Sequence, residues 1–386
     1  MNPCRFTCVC SALVLGASLS TSAMGQSPEV PASPVAIVYV SHPSANQLNA
    51  PNQIVAYTAD AEGKLTRVPG SPFAANVIPM AVTGTYLFGG SYDGSHILSF
   101  RVASDGALKQ VDSFSAQKDT PGGCNQVIDL VLDHTGAILY SYSGFFGGQG
   151  TCPASAEFQS FKIDKSNGAL DYLGSTGENP VYGAPLRFIG NDTLAYEGSG
   201  LDIFAFKRET NGLLLYDTTT VPSISGADGQ SYFPEFVAAD PTNHLAVVMQ
   251  PESNGGLRLA SFTVSSNGDL TTSNTEANMA KSASTTPYYS QMSPSGKVFA
   301  LAGDAGLEVF HFNGANPMTR FATLTTDPIY KMYWDNANHL YAISVGRNKL
   351  YVFTVTESGF TQAPGSPYSV FSPVYIAVRA TTPAPQ

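Results

Sequence analysis

Short apolar runs recur along the chain at intervals of about fifty residues, the mark of a repeated supersecondary unit. Seven runs share one character: 36–41 (AIVYVS), 86–92 (YLFGGSY), 138–144 (ILYSYSG), 194–200 (LAYEGSG), 245–251 (LAVVMQP), 298–305 (VFALAGDA) and 340–346 (LYAISVG). After each comes a segment of alternating apolar and polar residues, at 53–60, 96–103, 157–164, 201–208, 257–264, 307–314 and 349–356. A period of two reads as a strand with one face on a core. A glycine closes each of these segments: Gly63, Gly106, Gly168, Gly212, Gly268, Gly314 and Gly359. Glycine supplies the positive φ that a tight hairpin needs. Leu65, Leu108, Leu170, Leu214 and Leu270 then open a further strand. Upstream of the apolar runs another strand begins, usually after proline (Pro79, Pro185, Pro234, Pro287, Pro328, Pro373) and near Val127 in the third unit.

Seven units of four strands predict an all-β fold, a seven-bladed β-propeller with four-stranded blades. The first unit lacks its opening strand, and the C-terminus has a spare one, 373–379 (PVYIAVR). Pairing the spare strand with 36–41 closes the ring and protects its seam. A pair of β-sandwiches and an eight-bladed ring are the alternatives. The outermost strands carry a near-duplicate, 68–73 (VPGSPF) and 363–368 (APGSPY). Proline is tolerated there because an outer strand has a free edge.

The first 25 residues have a different pattern. Arg5 precedes an uncharged, largely apolar run, 6–19, too short for a bilayer core of about 30 Å. Ala23-Met24-Gly25 then sets small residues around a cleavage point, so 1–25 reads as a secretory signal. A linker at 26–34, the propeller at 35–380 and a tail at 381–386 complete the expected organisation, with export to a periplasmic or extracellular location. Removing the signal takes one base and no acid, so the formal charge moves from −10 to −11. That balance, with only 12% charged residues, argues against a nucleic-acid binder, and 43% apolar content excludes disorder. No other stretch reaches membrane-spanning length, and a monomer is expected. Cys124 and Cys152 remain in the mature chain, and in an oxidising compartment they suggest one disulfide. It would stabilise by roughly 3–4 kcal/mol. Both cysteines fall in loops on one face of the third blade.

The repeated (Asp/Ser)-x-Gly-x-Leu turns, the Gly-Ser-Pro-(Phe/Tyr) outer strands and Asp240-Pro241-Thr242-Asn243 resemble those of lactonase-type seven-bladed propellers. That superfamily includes 6-phosphogluconolactonase and fungal carboxymuconate cyclase, and the resemblance covers about residues 35 to 380. It implies the fold, and lactone chemistry for members that keep a Gly-Pro-Arg-His stretch, an Asn-Glu and an earlier His-Pro-His. Here Glu235 and Phe236 stand at the Arg and His positions, and Gln250-Pro251 replaces Asn-Glu, with Glu252 one residue later. The earlier stretch reads Asn125-Gln126-Val127-Ile128-Asp129, without histidine. A fold does not carry its function with it.

In the enzymes that the chain resembles, one position near the start of each first strand faces the mouth, and the resemblance puts Ala81, Asp129, Arg187, Phe236, Tyr289, Tyr330 and Tyr375 there. Aromatic faces with an Asp and an Arg could grip a sugar or lactone. The bland reading is that they fill the channel or pack between blades. Glu235 and Lys331 add charge nearby. The six histidines show no metal-ligand spacing, and no phosphate loop, nucleophile elbow or cofactor motif appears. Asp93-Gly94 and Asp304 read as turn residues. Longer loops gather on the mouth face, where binding is expected. The sequence thus leads to an exported recognition scaffold for a small molecule (a sugar or lactone) or a protein. The alternative is a divergent lactone hydrolase, or a related carbohydrate-active enzyme, using Asp129, Arg187 or Glu235.

Overall fold

The computed structural model describes residues 33–44, 50–116, 126–145, 155–176, 185–220, 222–226, 229–253 and 255–383. Residues 1–25, expected to be a signal, and Cys124 and Cys152 lie outside them. Among the described residues there is no α-helix, and the strands form seven antiparallel sheets. The structure is the seven-bladed propeller that the repeat implies.

Each blade is built on a meander of four strands, ordered from the axis outward; blades 1, 5 and 7 add a short second outer segment, and blade 5 also pairs Ile224–Ser225 with its first strand. Blade 2 runs Val77–Val82, Tyr86–Ser91, His96–Val102, Leu108–Ser115. Blade 3 runs Gln126–Leu132, Ile138–Phe145, Ser155–Ile163, Leu170–Ser175. Blade 4 begins with the two-residue Arg187–Phe188 and ends at Leu214–Thr220. Blade 5 spans Ser231–Ala239 to Leu270–Thr271, blade 6 Pro287–Met292 to Asn316–Thr325, and blade 7 Lys331–Trp334 to Phe360–Gln362. Outer strands open at Leu65, Leu108, Leu170, Leu214 and Leu270, the leucines of the repeat.

Blade 1 is assembled from both ends of the chain. Tyr375–Ala380 pairs with Ala36–Pro43, from Ser41↔Tyr375 to Ala36↔Ala380. The ladder is extended at each end by Val374 N–H to Ser41 O (2.8 Å) and Thr381 N–H to Val35 O (2.9 Å). Ile376 and Val378 enter the apolar layer between blades 7 and 1, and Tyr375 and Ala377 the layer between blades 1 and 2. The duplicate motif completes the seam. In both copies the outer strand breaks in two around Pro-Gly-Ser-Pro, and the serine hydroxyl takes a backbone N–H of the neighbouring strand. Ser71 Oγ accepts from Ala56 at 2.8 Å and Ser366 Oγ from Val352 at 2.9 Å. Across the seam Tyr368 accepts Leu65 N–H at 2.8 Å.

Between blades, a tyrosine of one second strand reaches the outer hairpin of the next blade. Tyr39, Tyr140 and Tyr196 hydroxyls donate to the carbonyls of Gly106, Gly212 and Gly268 at 3.0, 2.9 and 3.0 Å. Gly212 has a φ of 98°, and a Cβ there would sit 2.5 Å from Ile138, so both conformation and space demand glycine. Tyr86 lies against Gly168 in the same way, but its buried hydroxyl has no partner. The sequence expectation fails at one hairpin: Gly359 does not have a positive φ, and its turn is held by Thr356 N–H to Gly359 O at 2.9 Å. Two first strands also start ahead of their proline. Pro79 and Pro234 lie inside Val77–Val82 and Ser231–Ala239, each at a register shift that removes the need for a ladder N–H.

Two expectations follow. Ending the chain after Ser372 removes the closing ladder and the buried Tyr375, Ile376, Ala377 and Val378. At about 1.5–3 kcal/mol for each large side chain, the loss is comparable with a whole domain's stability. The truncated chain should show no cooperative thermal transition; one melting near the full chain's temperature contradicts ring closure. Tyr140→Phe should cost about 1–2 kcal/mol in denaturant unfolding, whereas Tyr86→Phe, which deletes an unpaired hydroxyl, should be neutral or stabilising.

Candidate functional site

The first strands line the axis, and five blades send polar side chains into its middle. Asp129 comes from blade 3, Arg187 from blade 4, Tyr289 from blade 6, and Tyr375 from the closing strand. Lys331 and Tyr333, two residues apart on blade 7, join them. Asp129 is buried, and its Oδ1 accepts the Tyr375 hydroxyl and, at 2.9 Å, the Leu130 N–H. Lys331 Nζ lies 3.5 Å from the same oxygen. It also sits over the Tyr375 ring at 3.7 Å and the Tyr289 ring at 4.7 Å. Arg187 stacks over Tyr289 with its Cζ 5.1 Å from the ring centroid, and its Nη2 donates to Ser290 O at 2.9 Å.

This arrangement fixes the protonation states. Burial works against the Arg187 charge, but the neighbouring Tyr289, Tyr333 and Asp129 outweigh it and hold the guanidinium above its ordinary value. Burial, then the Asp129 charge, pushes Tyr375 well up; burial, then the nearby Tyr289, does the same to Tyr333. Both phenols therefore stay protonated across the biological range. The cluster is a cation–π and hydrogen-bonded knot in which Asp129 is surrounded by donors.

Of the seven residues singled out in the sequence, the structure brings together Asp129, Arg187, Tyr289 and Tyr375. Phe236 is half-buried and packs into the apolar layer between blades 5 and 6. Glu235 sits at the register shift between Pro234 and Phe236, on the face where loops enter the first strands. There its Oε2 stands 3.3 Å from where a Gly200 Cβ would be, and burial alone raises its carboxyl. Tyr330 is 54% exposed on the same rim, with its ring 5.1 Å from that of Tyr288. Sequence reasoning missed Tyr333. Ile329, Met332 and Trp334 pack together in the layer between blades 6 and 7, which turns Lys331 and Tyr333 to the axis, one residue out of step with a count from Pro328. Alternation within 331–334 was the signal that could have found it.

The opposite face has short turns tied down by carboxylates. Asp133 Oδ1 accepts Ala137 and Ile138 N–H (2.8 and 3.0 Å), Asp240 Oδ1 accepts Thr242 and His244 N–H (both 2.9 Å), and Asp335 Oδ1 accepts His339 N–H (2.9 Å). The turn histidines pair with aspartates: His134 with Asp192 at 2.6 Å, His244 with Asp240 at 3.0 Å, and His339 with Asp335 at 2.8 Å. On the long-loop rim, by contrast, Asp93 is held at about 2 by the Ser91 and Ser95 hydroxyls and the Ser95 N–H. No group of three or more His, Cys, Asp or Glu among the described residues could hold a metal ion.

The architecture defines a class of fold, the seven-bladed β-propeller, and several solved structures share it. A putative 6-phosphogluconolactonase from Bacteroides uniformis is 12% identical with a TM-score of 0.62, covering 90% of this chain and all of that one. The periplasmic gluconolactonase of Pseudomonas aeruginosa is 14% identical with a TM-score of 0.55, over 90% of this chain and 99% of that one. A protein from Lactobacillus plantarum is 12% identical with a TM-score of 0.57, over 90% and 99%. At this identity the likeness is one of fold. No family profile and no curated protein matches the sequence.

Glu235 supplies a pH test. Its folded pKa is raised, so its contribution to stability is complete below the unfolded value and is lost as pH rises through the folded one. Glu235→Gln should therefore raise Tm at about pH 7 and leave it unmoved below about pH 4. Equal shifts at both pH values would show that its charge carries no penalty.

Proposed function

We propose that this chain is an exported binding scaffold that holds a carbohydrate-like ligand on the long-loop rim of the propeller. One observation carries the reading. The three most exposed large apolar side chains among the described residues, Tyr92 (67%), Leu201 (59%) and Tyr330 (54%), all stand on that rim. The other exposed ones, Val111, Leu215, Tyr216 and Phe360, lie on outer strands. Exposed aromatic and aliphatic groups gathered on one rim of a rigid scaffold suit recognition. The Tyr288–Tyr330 pair offers a broad aromatic surface to the apolar face of a sugar. Half-buried Glu235, on the same rim, could accept from its hydroxyls.

Catalysis has less support. A lactone hydrolase needs a general base or nucleophile able to reach its substrate. Asp129 is buried and already accepts Tyr375 and Leu130, with Lys331 beside it. Arg187 is engaged with Ser290 and Tyr289. Export rests on the pattern of residues 1–25, and a similar fold in a periplasmic gluconolactonase is compatible with it.

The test pairs a glycan array with a gluconolactone hydrolysis assay. The chain should capture at least one oligosaccharide, and Tyr330→Ala should abolish capture while leaving Tm unchanged. Gluconolactone should hydrolyse no faster than in buffer. Turnover that Arg187→Ala eliminates would make the hydrolase the better reading.

A further inference from the structure

At the short-turn end the central channel widens into a cavity of about 280 Å³. Val82, Val131 and Phe188 give it an apolar wall, and Arg187, Gln291 and Tyr333 bring polar groups to it. It lies at the far end of the channel from the rim discussed above, so it stands independently of the rim reading.

Charge along this channel is unbalanced. Arg187 and Lys331 both lean on one carboxylate, Asp129. The phenols of Tyr333 and Tyr375 stay neutral, so neither supplies a second negative charge. At the cavity's edge His134 is matched by Asp192, 2.6 Å away, and that pair adds no negative excess. Two cavity residues also keep a buried polar atom without a hydrogen-bond partner, Nε of Arg187 and Oε1 of Gln291. An uncompensated cation and an orphan acceptor are both costly to bury. A ligand carrying one negative charge and one hydroxyl donor would relieve both. Guanidinium and carboxylate match in charge and shape.

We propose that the short-turn end of the channel binds a small monocarboxylate with an apolar body and a hydroxyl. Its carboxylate meets Arg187, its hydroxyl donates to Gln291, and its body rests on Val131 and Phe188. The cavity sits near the lower limit of small-molecule sites, about 300–1,000 Å³, which suits a ligand of roughly ten non-hydrogen atoms.

Isothermal titration of the full chain tests this with 4-hydroxybenzoate and 6-hydroxyhexanoate as probes, and with 4-hydroxybenzamide and inorganic phosphate as controls. At least one hydroxy acid should bind with a stoichiometry of one. The amide should bind at least about tenfold more weakly, and phosphate, which lacks an apolar body, should not bind. Arg187→Met should weaken the hydroxy acid at least about tenfold. Should that variant fail to fold, Ala239→Phe carries the test, because it narrows the cavity wall without altering charge. It should abolish binding with Tm retained. Failure of both hydroxy acids to bind, equal affinity for the amide, or unchanged affinity in folded Ala239→Phe would each overturn the proposal. Rim glycan capture is a separate readout, so loss of one site leaves the other standing.

Discussion

The ladder between Ala36–Ser41 and Tyr375–Ala380 is the constraint on which the rest of the molecule depends. A propeller is a sheet arrangement without a natural end, since every blade must cover the apolar face of the next. Here the last blade would have no neighbour unless the C-terminal strand became the inner strand of the first. The same strand delivers Tyr375 to the axis, where its hydroxyl meets Asp129 of blade 3. Closure therefore does two things at once. It completes two apolar layers, and it assembles the polar knot that holds the middle of the channel. The axial chemistry cannot form before the ring does.

Away from the seam the blades are joined by a repeated device. A phenol on one second strand donates to the carbonyl of a left-handed glycine on the next blade's outer hairpin, as in Tyr39–Gly106, Tyr140–Gly212 and Tyr196–Gly268. The contact satisfies a buried hydroxyl and fixes how far the outer hairpin sits from its neighbour. Blades 3 and 4 strengthen it: Arg208 donates to the Tyr140 hydroxyl at 3.0 Å and to the fully buried Asp133 at 3.0 Å. The short-turn face is thereby held rigid by carboxylates that cap their own hairpins. The long-loop face carries the exposed apolar groups. A chain with so few charges places many of them in turns and in the axis.

How much of this could be read from residues alone depends on the range of the interaction. Strand alternation, hairpin glycines and the leucines opening outer strands are local, so blade number, strand order and the seam were legible. The Pro-Gly-Ser-Pro duplicate was visible as a repeat, though not that its serines take backbone N–H groups of the adjacent strand. Register near the axis was harder. Pro79 and Pro234 sit at irregularities inside their strands, and Pro328 precedes a buried Ile329, so counting from proline put Tyr330 where Lys331 and Tyr333 belong. Asp129, Arg187, Tyr289 and Tyr375 could be nominated from equivalent positions. Their mutual contacts could not, because residues far apart in the chain meet only once the ring exists.

The axial knot also bears on the proposed choice of recognition over hydrolysis. A general base works when its lone pair is free and substrate can approach it. Asp129 has the opposite setting, with a phenol and an amide donating to it and an ammonium 3.5 Å away. With its oxygen already engaged and buried, such a carboxylate is poorly placed to reach a substrate. What the knot does well is keep two cations and three aromatic rings in fixed positions with one charge left uncompensated. A fixed, partly desolvated positive site attracts an anion without having to reorganise, which is the physical basis of tight and selective small-molecule binding.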